Sequence, residues 1–468
     1  MMIKKTAAAA AGAAAAGTIF AYTQTAEATF QPSVDTIMLV DAETGQVLLE
    51  ENAQQPLPPA SMTKMMSEYL ILEAINDGDM SWDDEVSISD FHAELSHDQA
   101  LSNVMLRTDE TYSVEELYES VAIYSANAAT MALAEHMSGS EGAFVETMNE
   151  RGEEIGMGET LREAGEAMGS DSLEETAAAG EGDFQFVNTT GLPNHLLNGS
   201  HPDGTGEEED NYMTAEAAAV LGFHLVNDYP EVLEAASIPE MTFREGTDDA
   251  IDMMNWNWMI EGTQSPDLDY EYIDGLKTGH TEAAGFTFTG TAERDGQRFI
   301  SVVMGADSES HRFQETESVM EWGFDNFSEE EIFAAGLTPE EQEEIDVVNG
   351  EAESVGIEST DSVSHFVMED EEEAFSYDVQ LDEEMLTDDG ALDAPVEAGT
   401  VIGQMQVSFD GERDVRYLND DMGRDLTVDL VTTEDVERSG WFTLTMNNVG
   451  SFFSGLWSGV TSTVRGWF

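Results

Sequence analysis

Apolar and polar positions follow two different periods along this chain, and where the period changes the chain divides. From Val34 to about Phe327, strand-like alternation and helix-like spacing succeed one another without a long linker. This predicts one domain in which a sheet is flanked by helices. The run DTIMLVDAETGQVLLEEN sets two apolar segments about a Glu-Thr-Gly turn and predicts a hairpin. In LPPASMTKMMSEYLILEAI, prolines precede Met65, Tyr69, Leu72 and Ile75 at helical spacing, so a helix should open at Ser61. SVEELYESVAIYSANAATMALAEHM predicts a helix started by a Ser113/Glu116 capping box, and a second beginning near Ser125. GLKTGHTEAAGFTFTGTAERDGQRFISVVMGA predicts neighbouring antiparallel strands, the last two joined at Asp295-Gly296.

Other stretches interrupt this pattern. REAGEAMGSDSLEETAAAGEGD, between Arg162 and Asp183, is small, polar and acidic, and is expected to be a surface insertion. The charge run SEEEIFAAGLTPEEQEEIDVVNG marks a boundary. Beyond it FSYDVQL, TVIGQMQVSF and LTVDLVTT, separated by Gly/Asp turns, predict a small all-β domain. The last segment is almost uncharged: Val449, Phe452, Phe453, Leu456 and Trp457 recur at helical spacing opposite serines. Such a face suits a helix lying in a membrane interface. At the other end Lys4 and Lys5, an Ala/Gly-rich stretch and Ala26-Glu27-Ala28 have the pattern of a cleaved secretory signal. The expected organisation is therefore a signal peptide (1–28), a mixed catalytic domain (29–327), a β-rich domain (328–438) and an amphipathic anchor helix (439–468).

Composition changes the picture in two ways. Ninety-eight Asp+Glu against 16 Lys+Arg give a formal charge of -82, while 41% hydrophobic residues suffice for packed cores. An extreme acidic surface of this kind fits a fold adapted to high salt, where the Debye length shrinks to about 3 Å at 1 M. Nucleic acid is excluded as a partner, because phosphate binding needs a basic stripe. With no cysteine, disulfides, thiolate nucleophiles and cysteine-ligated zinc are excluded too. His92 and His97 lack the spacing of a zinc helix and no HExxH occurs, so no metal or other cofactor is expected.

The chain holds four lysines, and beyond the leader only Lys64 and Lys277 remain, inside SMTK and KTG. Ser61 and Lys64, at i and i+3, put a hydroxyl and an amine on one helical face. A serine needs a base to attack a carbonyl, and a lysine becomes one when burial or a neighbouring cation lowers its pKa. Alone, SxxK, Ser125-Ala126-Asn127 and KTG are each weak signals. Their order along one domain is the pattern of penicillin-recognising serine enzymes.

On these motifs, and on PPASMTK, FVNTTGLPN, YIDGLKTGHTEAAG and GQRFISVVMGA, the chain resembles the low-molecular-mass penicillin-binding proteins, the serine-type D-Ala-D-Ala carboxypeptidases of bacteria. The resemblance implies an α+β penicillin-recognising serine-enzyme fold, its antiparallel sheet flanked by helices, then a small all-β domain and a C-terminal amphipathic helix. It implies Ser61 as the acylated nucleophile, Lys64 as its general base, and Ser125 with Asn127 relaying a proton to the leaving D-alanine. Lys277 would supply positive charge, Thr278 a hydroxyl for the substrate carboxylate, and the N–H groups of Ser61 and His280, next to Gly279, an oxyanion hole. Arg298 is a further candidate for binding that carboxylate. Peptidoglycan pentapeptide as substrate, β-lactams as inhibitors and the outer face of the cell membrane as a docking surface follow from the same resemblance. Two rivals remain: a class A β-lactamase, against which SAN in place of SDN and the β domain argue, and a non-catalytic acidic envelope protein.

Overall fold

The computed structural model describes residues 30–440, except 341, 369–370, 412, 414 and 420–426. The expected signal peptide, and the expected anchor helix apart from Ser439 and Gly440, lie outside the described residues.

The first hairpin forms as β1 (Thr36–Asp41) and β2 (Gln46–Glu51). Far along the chain, β3 (Ile273–Thr281), β4 (Gly285–Arg294) and β5 (Gln297–Ala306) form a meander. Asp295 and Gly296 both take positive φ, 57° and 91°, as the tight β4–β5 turn demands. β5 pairs with β1, so the hairpin and the meander merge into one antiparallel sheet with β3 at its edge.

Helices cover both faces of the sheet. The helix Glu309–Asn326 packs so closely that a Cβ on Gly323 would lie 2.6 Å from Leu39 and 3.0 Å from Phe299. On the other face Gly222, in the helix Ala215–Asp228, lies against Ile300, Thr289 and Leu276. Phe299 and Ile300 are successive residues of one strand and therefore point to opposite sides. This explains why β1 is buried at every position rather than alternately. Behind this second layer sits α1 (Lys64–Asp77), buried around most of its circumference and so nearly without an amphipathic stripe. Ser61 precedes α1 in a 3₁₀ turn, Ala60–Thr63, so the α-helix opens three residues later than expected.

The Ser113/Glu116 capping box starts α2 (Val114–Tyr124), and α3 (Asn127–Ser138) follows it. The acidic insertion is ordered as two short helices, Leu161–Met168 and Leu173–Ala179, capped by Thr160 and Ser172. Leu161, Leu173 and Ala177 pack with Val187 in a small core of their own. Too few apolar positions carry this hairpin for periodicity to reveal it.

From Ser328 onward the described residues form strands and loops apart from one 3₁₀ turn, Glu372–Ala374, and the charge run SEEEIF is itself a strand paired with Val363–Val367. A second six-stranded sheet surrounds Ile345, Ile357, Ile402, Met405 and Leu430. One excursion from this domain returns to the first sheet: Arg416 and Tyr417 pair with Val47 and Gln46 on the outer edge of β2. Arg416 also forms ion pairs with Glu216, at 2.7 Å, and with Glu50.

Candidate active site

The site is assembled where the 3₁₀ turn, the α2–α3 junction and β3 meet. Ala60 takes a positive φ of 49°, which turns Ser61 toward the cleft, and Ser125 takes 59° as the left-handed cap between α2 and α3. Such conformations cost non-glycine residues about 1 kcal/mol and collect where function fixes the backbone. Two glycines make the close approaches possible. A Cβ on Gly191 would lie 1.8 Å from the Ala60 carbonyl oxygen, and one on Gly279 would lie 2.5 Å from that of Pro59. The loop after the insertion and the KTG strand can therefore both press on the turn that carries Ser61.

Lys64 is fully buried beneath this turn. Its Nζ lies 3.0 Å from Ser61 Oγ, 2.8 Å from Asn127 Oδ1 and 2.7 Å from the Thr190 carbonyl. Asn127 donates its amide nitrogen to the Ser102 carbonyl at 3.0 Å, which fixes its oxygen toward Lys64. Thr190 belongs to the FVNTTGLPN loop, held from within by Asn188, whose Oδ1 accepts from Thr190 N, Thr190 Oγ1 and Gly191 N. Ser67 Oγ of α1 donates to the neighbouring Thr189 carbonyl at 2.8 Å.

Ser61, Ser125, Asn127, Thr278, Gly279 and His280 line one cleft of about 390 Å³, together with Leu101, Trp256 and Arg312. Ser125 Oγ is buried and has no hydrogen-bond partner in the protein. His280 stacks on Phe286 at 4.0 Å and donates through Nδ1 to the Gly285 carbonyl at 2.8 Å, which ties up its ring. Lys277 is 3% exposed, and its Nζ donates to the Thr278 carbonyl at 3.3 Å.

Burial and neighbouring charges govern the two amines. Loss of solvent, then the Lys277 charge, depress the Lys64 pKa far below the ordinary lysine value. Lys277 is lowered to about 8, chiefly by burial, against the opposing pull of Glu68.

Arg298 is not brought into the cleft. Its guanidinium is held by Asp274 at 2.8 Å and Glu293 at 2.7 Å, with Thr291 Oγ1 at 2.6 Å. The guanidinium at the cleft belongs instead to Arg312, which is 2% exposed and donates to the Gly279 carbonyl at 2.9 Å. Glu309 lies 3.7 Å from it. Sequence reasoning missed Arg312, Thr190 and Glu68. Arg312 sits in an ordinary amphipathic stretch, and Thr190 acts through a backbone carbonyl, which leaves no side-chain signature.

Residues 22–308 match the family model described as D-alanyl-D-alanine carboxypeptidase, peptidase S11. The chain belongs to this carboxypeptidase family. Residues 327–438 match the model of the penicillin-binding protein 5 C-terminal domain, in agreement with the second β sheet. The D-alanyl-D-alanine carboxypeptidase DacA of Haemophilus influenzae is 28% identical over 94% of this chain and 91% of its own. The carboxypeptidase DacF of Bacillus subtilis is 27% identical over 80% of this chain and 81% of its own. Among solved structures, a peptidoglycan synthesis regulatory factor (PBP3) from Streptococcus pneumoniae has 28% identity and a TM-score of 0.64, covering 87% of this chain and 100% of that one.

Proposed function

We propose that this member of the carboxypeptidase family is exported and removes the terminal D-alanine from peptidoglycan stem pentapeptides through an acyl-serine intermediate. The carrying observation is the setting of Lys64. Two pure acceptors, the Asn127 and Thr190 oxygens, take two of its N–H bonds. In the neutral amine the lone pair is then left pointing at Ser61 Oγ, 3.0 Å away.

The steps follow from this arrangement. Ser61 Oγ attacks the penultimate carbonyl as its proton passes to Lys64. The new C–O bond creates an oxyanion, which the N–H groups of Ser61 and His280 receive. Ser125, unpartnered in the resting protein, passes its proton to the departing amine as the C–N bond breaks and takes one back from Lys64, which returns to the neutral amine. Water then repeats the sequence on the ester and releases the shortened peptide. The substrate's terminal carboxylate is drawn to Thr278 and to the positive charge of Lys277 and Arg312, a role that falls to Arg312 because carboxylates already occupy Arg298.

The four-part division of the chain, the membrane-interface helix and the molar-salt requirement belong to the same reading. They rest on the sequence patterns at both ends and on the charge of -82. Labelling with a fluorescent penicillin in molar salt tests the chemistry: wild type should be acylated slowly reversibly, and Ser61→Ala should stay dark. Rapid turnover of the penicillin would instead support a β-lactamase. Release of D-alanine from a synthetic pentapeptide separates an enzyme from a non-catalytic envelope protein. Vesicle binding with and without residues 441–468 tests the anchor.

A further inference from the structure

The guanidinium in the cleft is paired more loosely than any other. Among the described residues every other arginine has a carboxylate within 3.5 Å, whereas the nearest one to Arg312, that of Glu309, lies 3.7 Å from Nη2. At that separation the two charges attract without a hydrogen bond. Arg312 and Glu309 both line the cleft, with Ser61, Ser125 and Thr278.

The two partners are held very differently. Arg312 is fixed: Nη1 donates to the Gly279 carbonyl at 2.9 Å and the Thr287 carbonyl at 3.4 Å, and its guanidinium carbon stands 4.6 Å from the centre of the Phe313 ring. Nε has no partner, and Nη2 makes no hydrogen bond among the described residues, so N–H groups remain for an incoming acceptor. Glu309 is the less constrained member. It is the first residue of the helix Glu309–Asn326, but Ser308 already caps that helix by accepting from His311 N at 3.2 Å. The Glu309 side chain makes no hydrogen bond among the described residues and is 31% exposed, against 3% for that of Arg312.

We propose that Glu309 is a built-in stand-in for the substrate's terminal carboxylate, neutralising Arg312 in the resting protein and giving way when that carboxylate binds. A buried guanidinium needs an opposite charge nearby, and Glu309 supplies one without taking up the N–H groups that recognise the substrate. Two carboxylates on one guanidinium repel each other, so binding turns Glu309 outward to the water it already touches. When D-alanine leaves with its carboxylate, Glu309 returns. The groups facing Glu309 are Arg312 on its own helix and His280 from β3, and their attraction does not make up for its partial loss of water. The resting pair is thus weak enough to be displaced. Glu309 acts on the substrate through Arg312, weakening ground-state binding and easing release of the product.

This inference rests on the proposed reaction and on the carboxylate-binding role of Arg312, and its test separates all three. Steady-state D-alanine release from a synthetic pentapeptide is measured at fixed molar salt. Glu309→Gln should lower KM about three- to fivefold with kcat no higher, as expected for losing one partly exposed competing charge. Glu309→Ala removes the same charge and should do the same. In an Arg312→Gln background, adding Glu309→Gln should leave kcat/KM unchanged, because the competition has lost its object. An unchanged or raised KM in Glu309→Gln overturns the proposal, a raised one showing that Glu309 merely holds Arg312 in place. An equal gain in the Arg312→Gln background also overturns it, since the effect would then be a general loss of negative charge. If Arg312→Gln alone keeps the wild-type KM, the carboxylate role of Arg312 fails and the proposal with it. A wild type that releases no D-alanine defeats the function itself.

Discussion

The outer surface and the floor of the cleft handle positive charge in opposite ways. Apart from Arg312, which lines the cleft, every arginine among the described residues lies on the outside within 4.0 Å of a carboxylate, from Arg107 with Asp109 to Arg438 with Asp393. Most of these pairs are exposed enough for salt to screen them, and singly each contributes about 0–1 kcal/mol. Lys64 and Lys277 are buried, and carbonyls and hydroxyls contact them instead. The difference teaches that the solvent-facing charges are free to follow the medium, while the reacting charges are insulated from it by burial.

The largest effect should come from the cleft itself. Ser61→Ala should abolish penicillin labelling and lower D-alanine release by about 10⁴-fold, read by steady-state kinetics. Gly191→Ala should nearly match it. The added methyl would meet the Ala60 carbonyl at 1.8 Å and displace the turn carrying Ser61, and acylation rate and thermal melting together distinguish this from unfolding.

Arginine substitutions set the two regions side by side. Arg312→Ala should lower kcat/KM about 10- to 100-fold, because a buried charge-assisted contact to the KTG strand and to the substrate carboxylate is lost. Arg298→Ala, at a guanidinium already held by Asp274 and Glu293, should change it by less than about threefold. Equal losses in the two variants would erase the distinction.

Salt and pH give smaller, graded effects. Moving from molar to about 0.1 M salt should lower the melting temperature by about 10 °C as carboxylate repulsion returns. Acylation by the fraction still folded should change little. The proposed chemistry needs Lys277 protonated and Lys64 neutral. The rate should therefore fall as pH rises through about 8, and fall again on the acid side as Lys64 gains a proton. A rate that tracks salt as steeply as the melting temperature does would show that the floor is not insulated.

How much of this was legible in the chain depended on where each signal lay. Ser61, Lys64, Ser125, Asn127 and Lys277 carried their spacing in side chains, and the structure gathers the first four about one cleft, with Lys277 bonded to Thr278 of its lining. The meander and the capping box were legible because Asp-Gly turns and Ser/Glu caps act locally. Glu68 was not, being one of 98 acidic residues, and only burial sets it apart. The choice between Arg298 and Arg312 was equally hidden, because both lie near the sheet and sequence does not say which has free carboxylates beside it. The insertion was visible as a polar, acidic stretch, but its two helices were not for want of apolar positions, nor was the short strand at Arg416, because two residues make no pattern.

That short strand has a consequence at the level of the whole solution. A sheet edge offers unpaired N–H and C=O groups on which another molecule can template itself. In brine the mutual repulsion that keeps acidic molecules apart reaches only about 3 Å, so an uncovered edge becomes a site for stacking. Arg416 and Tyr417 cap the β2 side of the first sheet with the protein's own backbone. The sheet is thus covered at Gln46 and Val47, where the β2 edge begins, and on the other side ends in β3, the strand that borders the cleft.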